Sequence, residues 1–297
     1  MPSNDVSPGP QWTIIKTLEW TADYFKQHGI AQPRAVAEIL LAHILSCQRI
    51  DLYLRHDQPL NEDELARYRQ VIRRRLKFEP EAYIIGQKEF WSLPLKVSPD
   101  VLIPRPETEC LVELILDRFP ADDRANVLEL GVGSGAISIA LAHERPRWRF
   151  WASDISRRAI TMARANAVRL LPDKAIRFFV GHWFQSLNAR AAVFELIVSN
   201  PPYIPTAELD RLQPEVKAFE PYRALDGGPD GMESLEQIIG AAHAYLKPGG
   251  CLILEMGHDQ QSRVAAHARR HSEYDRVEFR NDYSGYSRVA CLRRAVA

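Results

Sequence analysis

Phe194-Glu195-Leu196-Ile197-Val198-Ser199-Asn200-Pro201-Pro202-Tyr203 is an apolar run that ends in a stiff polar turn. Its first five residues read as a buried strand. The two prolines close it, because neither can donate to a ladder. Open α/β sheets place their chemistry at the carboxyl ends of strands, so this turn marks the reacting end of the fold. The Asn200 side-chain oxygen can accept from a planar –NH2 group, and the Pro201 carbonyl can accept the second N–H. Pro202 stiffens the turn. Tyr203 can cover the apolar part of such a group and exclude water.

Working outward, helix and strand periods alternate from Glu107 onward. Strands are expected at Asn126–Leu130, Arg149–Ser153, Ile176–Val180, Phe194–Val198, Cys251–Met256, Tyr274–Asn281 and Arg288–Leu292. Helical stretches between most of them predict a mostly parallel sheet covered on both faces. The turn at Ser284-Gly285 is too short for a crossover, so the last two strands pair antiparallel. Upstream, Pro80 to Pro106 reads as two short strands paired in a hairpin, one around Phe90, Trp91, Leu93 and Leu95 and one at Val101-Leu102-Ile103, and residues 11–85 read as helical. Ile14, Leu18, Thr21, Ala22 and Phe25 share one helix face, and Asn61 with Glu64 forms a capping box. The expected division is a helical domain at 1–85, a hairpin linker at 86–106 and an α/β domain at 107–297. Arg73-Arg74-Arg75 with Lys77 reads as a solvated face, with a docking surface as the other use.

Glu129-Leu130-Gly131-Val132-Gly133-Ser134-Gly135 follows the first α/β strand and opens an Ala-rich helix. Glycines there permit a tight turn and close backbone approach. The acid two residues before the first glycine is a poor companion for a pyrophosphate. It suits a nucleoside that carries an amino acid. Asp154 ends the second strand, where an acid commonly holds ribose hydroxyls; capping the helix at 157–169 is its other use. Trp183 can stack on or edge an adenine ring.

Composition is that of an ordinary globular protein, with 46% hydrophobic and 26% charged residues. A formal net charge of 0 disfavours bulk attraction to nucleic acid or to an anionic membrane. No stretch is long and apolar enough to span a membrane, and Met1-Pro2-Ser3-Asn4-Asp5 does not open a signal peptide. Cys47, Cys110, Cys251 and Cys291 form no zinc-ligand spacing, and His182 has no HxxxH partner, so no metal is expected. Reduced cysteines and a cytoplasmic location are the simple reading, with Cys251 and Cys291 as buried thiols.

Together the glycine loop, Asp154, Trp183 and the Asn-Pro-Pro-Tyr turn resemble a Rossmann-like class I S-adenosylmethionine methyltransferase with a seven-stranded sheet. Gly86-Gln87-Lys88-Glu89-Phe90-Trp91 and Val101-Leu102-Ile103-Pro104-Arg105-Pro106-Glu107-Thr108-Glu109 narrow the resemblance to the peptide chain release factor glutamine methyltransferases. Glu220-Pro221 and Ala224-Leu225-Asp226-Gly227-Gly228 extend it over nearly the whole chain. The resemblance implies S-adenosylmethionine as cofactor, held by Glu129, Gly131, Val132, Gly133, Ser134, Gly135, Asp154, Trp183 and Asn200. It implies a release factor as substrate, its Gly-Gly-Gln glutamine held by Asn200, Pro201, Pro202 and Tyr203. Docking through the helical domain, a monomeric state and no stable nucleic-acid partner are further expectations. His182 departs from the family, where an acid is common, which weakens the expectation of adenine contacts there. Methylation of adenine-N6 in RNA or DNA is the alternative, since those enzymes share the Asn-Pro-Pro-Tyr turn.

Overall fold

The computed structural model describes residues 12–120, 123–187 and 192–296. The Met1–Asp5 stretch lies outside them. The chain divides into two compact units: residues up to Gly86 together with Pro214–Phe219, and Gln87–Gln213 with Glu220–Ala297.

In the first unit, α1 (Ile14–Gln27), α2 (Pro33–Leu45), α3 (Arg49–Leu54), α4 (Glu62–Arg75) and α5 (Glu81–Ile85) follow one another. Leu18, Phe25, Leu40, Leu41, Leu52 and Tyr68 make their shared core. The capping box is present: Asn61 Oδ1 accepts from the Glu64 N–H at 2.8 Å, and Glu64 returns the bond to the Asn61 N–H. The basic cluster is not one solvated face. Arg74 pairs with Glu79, while Arg75 is buried and meets Glu215 at 2.6 Å. Glu215 lies on a short helix, Pro214–Phe219, that the chain contributes to this unit from far downstream. A distant carboxylate is what lets the Arg75 charge be buried, and sequence spacing carries no sign of it.

The second unit opens with a two-stranded hairpin, β1 (Gln87–Phe90) and β2 (Leu93–Lys96), both strands falling before Val101-Leu102-Ile103, which is not a strand. Trp91 and Ser92, at φ +52° and +56°, make its turn, as a tight two-residue hairpin demands. The Asn166 side chain bonds both the N–H and the carbonyl of Lys96, fixing the hairpin against the helix that carries Asn166. After α6 (Glu109–Arg118) come β3 (Asn126–Leu130), α7 (Ala136–Glu144), β4 (Arg149–Asp154), α8 (Arg157–Leu170), β5 (Ile176–Val180) and β6 (Phe194–Ser199). Then follow α9 (the Pro214–Phe219 helix), α10 (Glu233–Ala242), β7 (Leu246–Glu255), α11 (Gln261–Ala268), β8 (Tyr274–Asn281) and β9 (Ser287–Arg294).

The seven strands lie in the order β5-β4-β3-β6-β7-β9-β8. The first five are parallel, and β9 runs antiparallel to both β7 and β8. Alternate residues of the central strands feed two cores. Val127, Leu196, Val198 and Ile253 face one side; Leu128, Leu130, Ile197 and Leu252 face the other. Burial on both faces is why these strands read as continuous apolar runs. Strand β7 begins five residues earlier than expected. Its register against β6 jumps from Phe194↔Leu246 to Leu196↔Cys251, and Lys247, Pro248, Gly249 and Gly250 form the intervening irregularity. Cys251 and Cys291 are buried free thiols, with Arg118 Nη1 at 2.7 Å from Cys291 Sγ. The switch in strand order, where β3 stands between β4 and β6, opens a crevice at the carboxyl ends of the strands.

Candidate active site

A cavity of about 740 Å³ occupies that crevice. Its wall includes Glu129, Gly131, Val132, Gly133, Ser134, Asp154, His182, Trp183, Asn200 and Pro202. The volume is that of a small-molecule site.

The glycine loop has the shape its composition calls for. Gly131, Gly133 and Gly135 take φ of +73°, +53° and +89°, which side chains with a Cβ rarely adopt. Gly135 does not line the cavity. It caps α7, and a Cβ there would meet Ile139 Cδ1 at 2.8 Å, so it serves close helix packing. Asp154 is no helix cap, since Ser156 caps α8. Its two oxygens instead accept from the Gly133 N–H at 3.0 Å and the Ser156 N–H at 2.8 Å. Each oxygen keeps a lone pair for a ligand hydroxyl. Burial raises the Asp154 pKa above the usual carboxylate value, and the two N–H donors oppose this. Glu129, 1% exposed, accepts from the Ser138 N–H at the start of α7. Burial pushes its carboxyl up to about 8, with hydrogen bonding to Ser138 opposing. Trp183 sits beside Gly131 with φ +47°, a conformation costly for a bulky residue and held here by its packing.

Strand β6 delivers Asn200 to the other end of the cavity. Its Nδ2 donates to Thr108 Oγ1 at 3.2 Å. Thr108 in turn donates to Glu255 Oε2 at 2.6 Å, and Tyr203 donates to Glu255 Oε1 at 3.2 Å. With its proton given to Glu255, the Thr108 oxygen can only accept, which fixes the Asn200 amide with Oδ1 as its remaining acceptor. Burial raises the Glu255 pKa, while the Thr108 bond pulls it back. Among the described residues nothing donates to the Pro201 carbonyl.

Tyr203 stands differently from expectation. Its ring packs against the core below β7, its hydroxyl goes to Glu255, and it is absent from the cavity wall, as is Pro201. Burial raises the Tyr203 pKa, so it stays neutral. The bond to Glu255 ties Tyr203 to the same carboxylate that holds Thr108 beside Asn200. Gln260, 1% exposed, completes the support by donating to the carbonyls of Tyr203 and Gly231. Glu220 binds the Ile103 N–H and the Arg105 guanidinium, which holds the segment leading to Thr108. Sequence reasoning missed Thr108, Glu255 and Gln260 as parts of the site. Thr108 had a signal, since it lies inside the quoted Pro-Arg-Pro-Glu-Thr-Glu run. Glu255 and Gln260 had none beyond a buried position after an apolar strand.

Comparison with known proteins gives two family matches, a PrmC N-terminal domain over residues 16–86 and a methyltransferase small domain over residues 109–212. A release factor glutamine methyltransferase of Geobacter sulfurreducens is 46% identical over 253 residues, covering 85% of this chain and 87% of that protein. One from Rhodopirellula baltica is 36% identical over 295 residues, 98% of this chain and 99% of that protein. A methyltransferase structure from Pyrococcus furiosus superposes with TM-score 0.51 at 18% identity, covering 68% of this chain and 89% of that one, which speaks to the fold.

Proposed function

The chain belongs to the family of release factor glutamine methyltransferases, and on that premise we propose that it transfers a methyl group from S-adenosylmethionine to the side-chain amide nitrogen, N5, of the Gly-Gly-Gln glutamine of peptide chain release factors. The relatives favour this over adenine methylation. The observation that carries the reading is the oriented Asn200 amide. Thr108 takes its Nδ2, so Oδ1 is left to accept from an incoming –NH2 at the cavity wall.

The cavity fits the cofactor. The left-handed glycines Gly131 and Gly133 bring backbone close to a ligand, Asp154 keeps lone pairs for ribose hydroxyls, and Trp183 offers an aromatic surface. When bound, S-adenosylmethionine supplies an electrophilic methyl on a positively charged sulfur.

The protein's own work is placement. An amide nitrogen is a weak nucleophile because its lone pair is shared with the carbonyl. Asn200 Oδ1 and the Pro201 carbonyl accept its two N–H bonds and aim it at the methyl. Both acceptors also stabilise positive charge that grows on nitrogen in the transition state. Transfer is a direct displacement without a covalent enzyme intermediate, and the surplus proton leaves to water. Alignment of this kind contributes several kcal/mol, up to about 7–11 in the best model systems. Pro202 and the Gln260 clamp keep the turn from moving during the step.

The helical unit docks the release factor, and the enzyme acts as a cytoplasmic monomer without a stable nucleic-acid partner. Among the described residues no helix is long and apolar enough to cross a membrane. Mass spectrometry of a release factor incubated with enzyme and cofactor tests the proposal. One added methyl on the Gly-Gly-Gln glutamine is the expected result. Methylated RNA or DNA with an unmodified release factor would overturn it.

A further inference from the structure

We infer that His243, His271 and Glu273 form a binding site for a divalent transition-metal ion of the zinc class, away from the cofactor cavity. His243 follows α10, and His271 and Glu273 lie between α11 and β8. One ligand atom from each lies within 4.8 Å of the others. His243 Nε2 is 3.6 Å from Glu273 Oε1, close to the spacing of two ligands on one ion. A tetrahedral zinc ion with nitrogen or oxygen ligands holds neighbouring donor atoms about 3.3 Å apart.

A third imidazole stands beside these three residues. His267 Nε2 is 3.4 Å from His271 Nε2, and His267 Nδ1 is 3.5 Å from Glu236 Oε1. Small shifts would let His267 or a water complete four-coordination. The scaffold is already braced. The Tyr274 ring meets both His243 and His271 edge-on, and its hydroxyl donates to the Ile239 carbonyl at 2.6 Å. His243 presents Nε2 to Glu273, so that nitrogen is the one placed to bind the ion. Imidazole with carboxylate selects zinc, copper or nickel over magnesium and calcium, which take oxygen donors.

The ion would be structural. One end of α10 contributes Glu233, Ser234 and Gln237 to the cavity wall, and His243 follows the other end, roughly 15 Å away along the helix. The ion ties that end of α10 to the α11–β8 connection. The proposal departs from the expectation of no metal, which rested on cysteine spacing and on His182. The sequence does hold a signal, since His267 and His271 stand four residues apart, with His271 just past the end of α11.

The test titrates the untagged, chelator-treated full chain with zinc chloride alone, with magnesium chloride as control. One equivalent should bind with a dissociation constant in the micromolar range or tighter, and magnesium should not. His271→Ala and Glu273→Gln should each weaken zinc at least about tenfold. Glu273 is half exposed, so its variant should keep the metal-free circular dichroism and melting midpoint of the parent. Cobalt in place of zinc should give visible bands without a thiolate charge-transfer band. Absence of saturable binding, affinity unchanged in both variants, or a thiolate band pointing to the cysteines would each overturn the proposal.

Discussion

Replacing Glu129 by Gln should flatten the pH dependence of the protein's stability. Glu129 is buried at the end of β3, and burial pushes its carboxyl from an ordinary 4.5 to about 8. An acid that binds its proton more tightly when folded makes the folded state hold more protons than the unfolded chain. Stability is therefore highest below the ordinary value, falls as pH rises through the window from about 4.5 to about 8, and levels off above it. Fully expressed, the penalty is roughly 5 kcal/mol, of which about 3 falls between about pH 5 and about pH 8. Glutamine keeps an acceptor for the Ser138 N–H and cannot ionise. Urea titrations of parent and variant at several pH values give the comparison. Glu255 also has a raised pKa that both proteins share, whereas Asp154 interacts with Glu129, so the difference reports Glu129 together with its coupling to Asp154. The parent should lose about 3 kcal/mol more than the variant between the two pH values. Parallel profiles would refute the reasoning, because they would mean that the buried carboxyl titrates alike in the folded and unfolded chains.

Three further outcomes concern the transfer itself. Asn200→Ala should lower kcat by about 10²–10³ while cofactor affinity changes much less, since it removes an acceptor used in the transition state; turnover near the parent's would remove Asn200 from the reaction. Asp154→Ala should do the reverse, weakening cofactor binding by roughly 10–100-fold in equilibrium dialysis, the worth of hydrogen bonds to a charged group. Thr108→Val should lower kcat about tenfold with little change in cofactor affinity, because the Asn200 amide loses the oxygen that orients it. Thr108→Ser keeps that oxygen and should restore the rate, and equal losses in both variants would show that Thr108 acts only through packing.

What the sequence made legible was what lies close together along the chain. The capping box at Asn61, the left-handed glycines at 131, 133 and 135, and the strand that carries Asn200 all follow from neighbours a few residues apart. Such patterns are set by backbone sterics and by alternate burial, and both act locally. What escaped is held by pairs far apart in the chain. Thr108 meets Glu255 across 147 residues, Gln260 meets Tyr203 across 57, and Arg75 meets Glu215 across 140. A buried polar group is tolerable only when its partner arrives, and no local pattern announces that partner. The inward bond of Tyr203 has the same origin. Beside Asn200 it reads as a cover for substrate, yet Glu255 on the neighbouring strand draws its hydroxyl inward. The acceptor can be read from one loop, whereas its aim is set by a carboxylate on another strand. The orientation of the Asn200 amide therefore depends on Thr108 and Glu255, which reach it from far away in the chain.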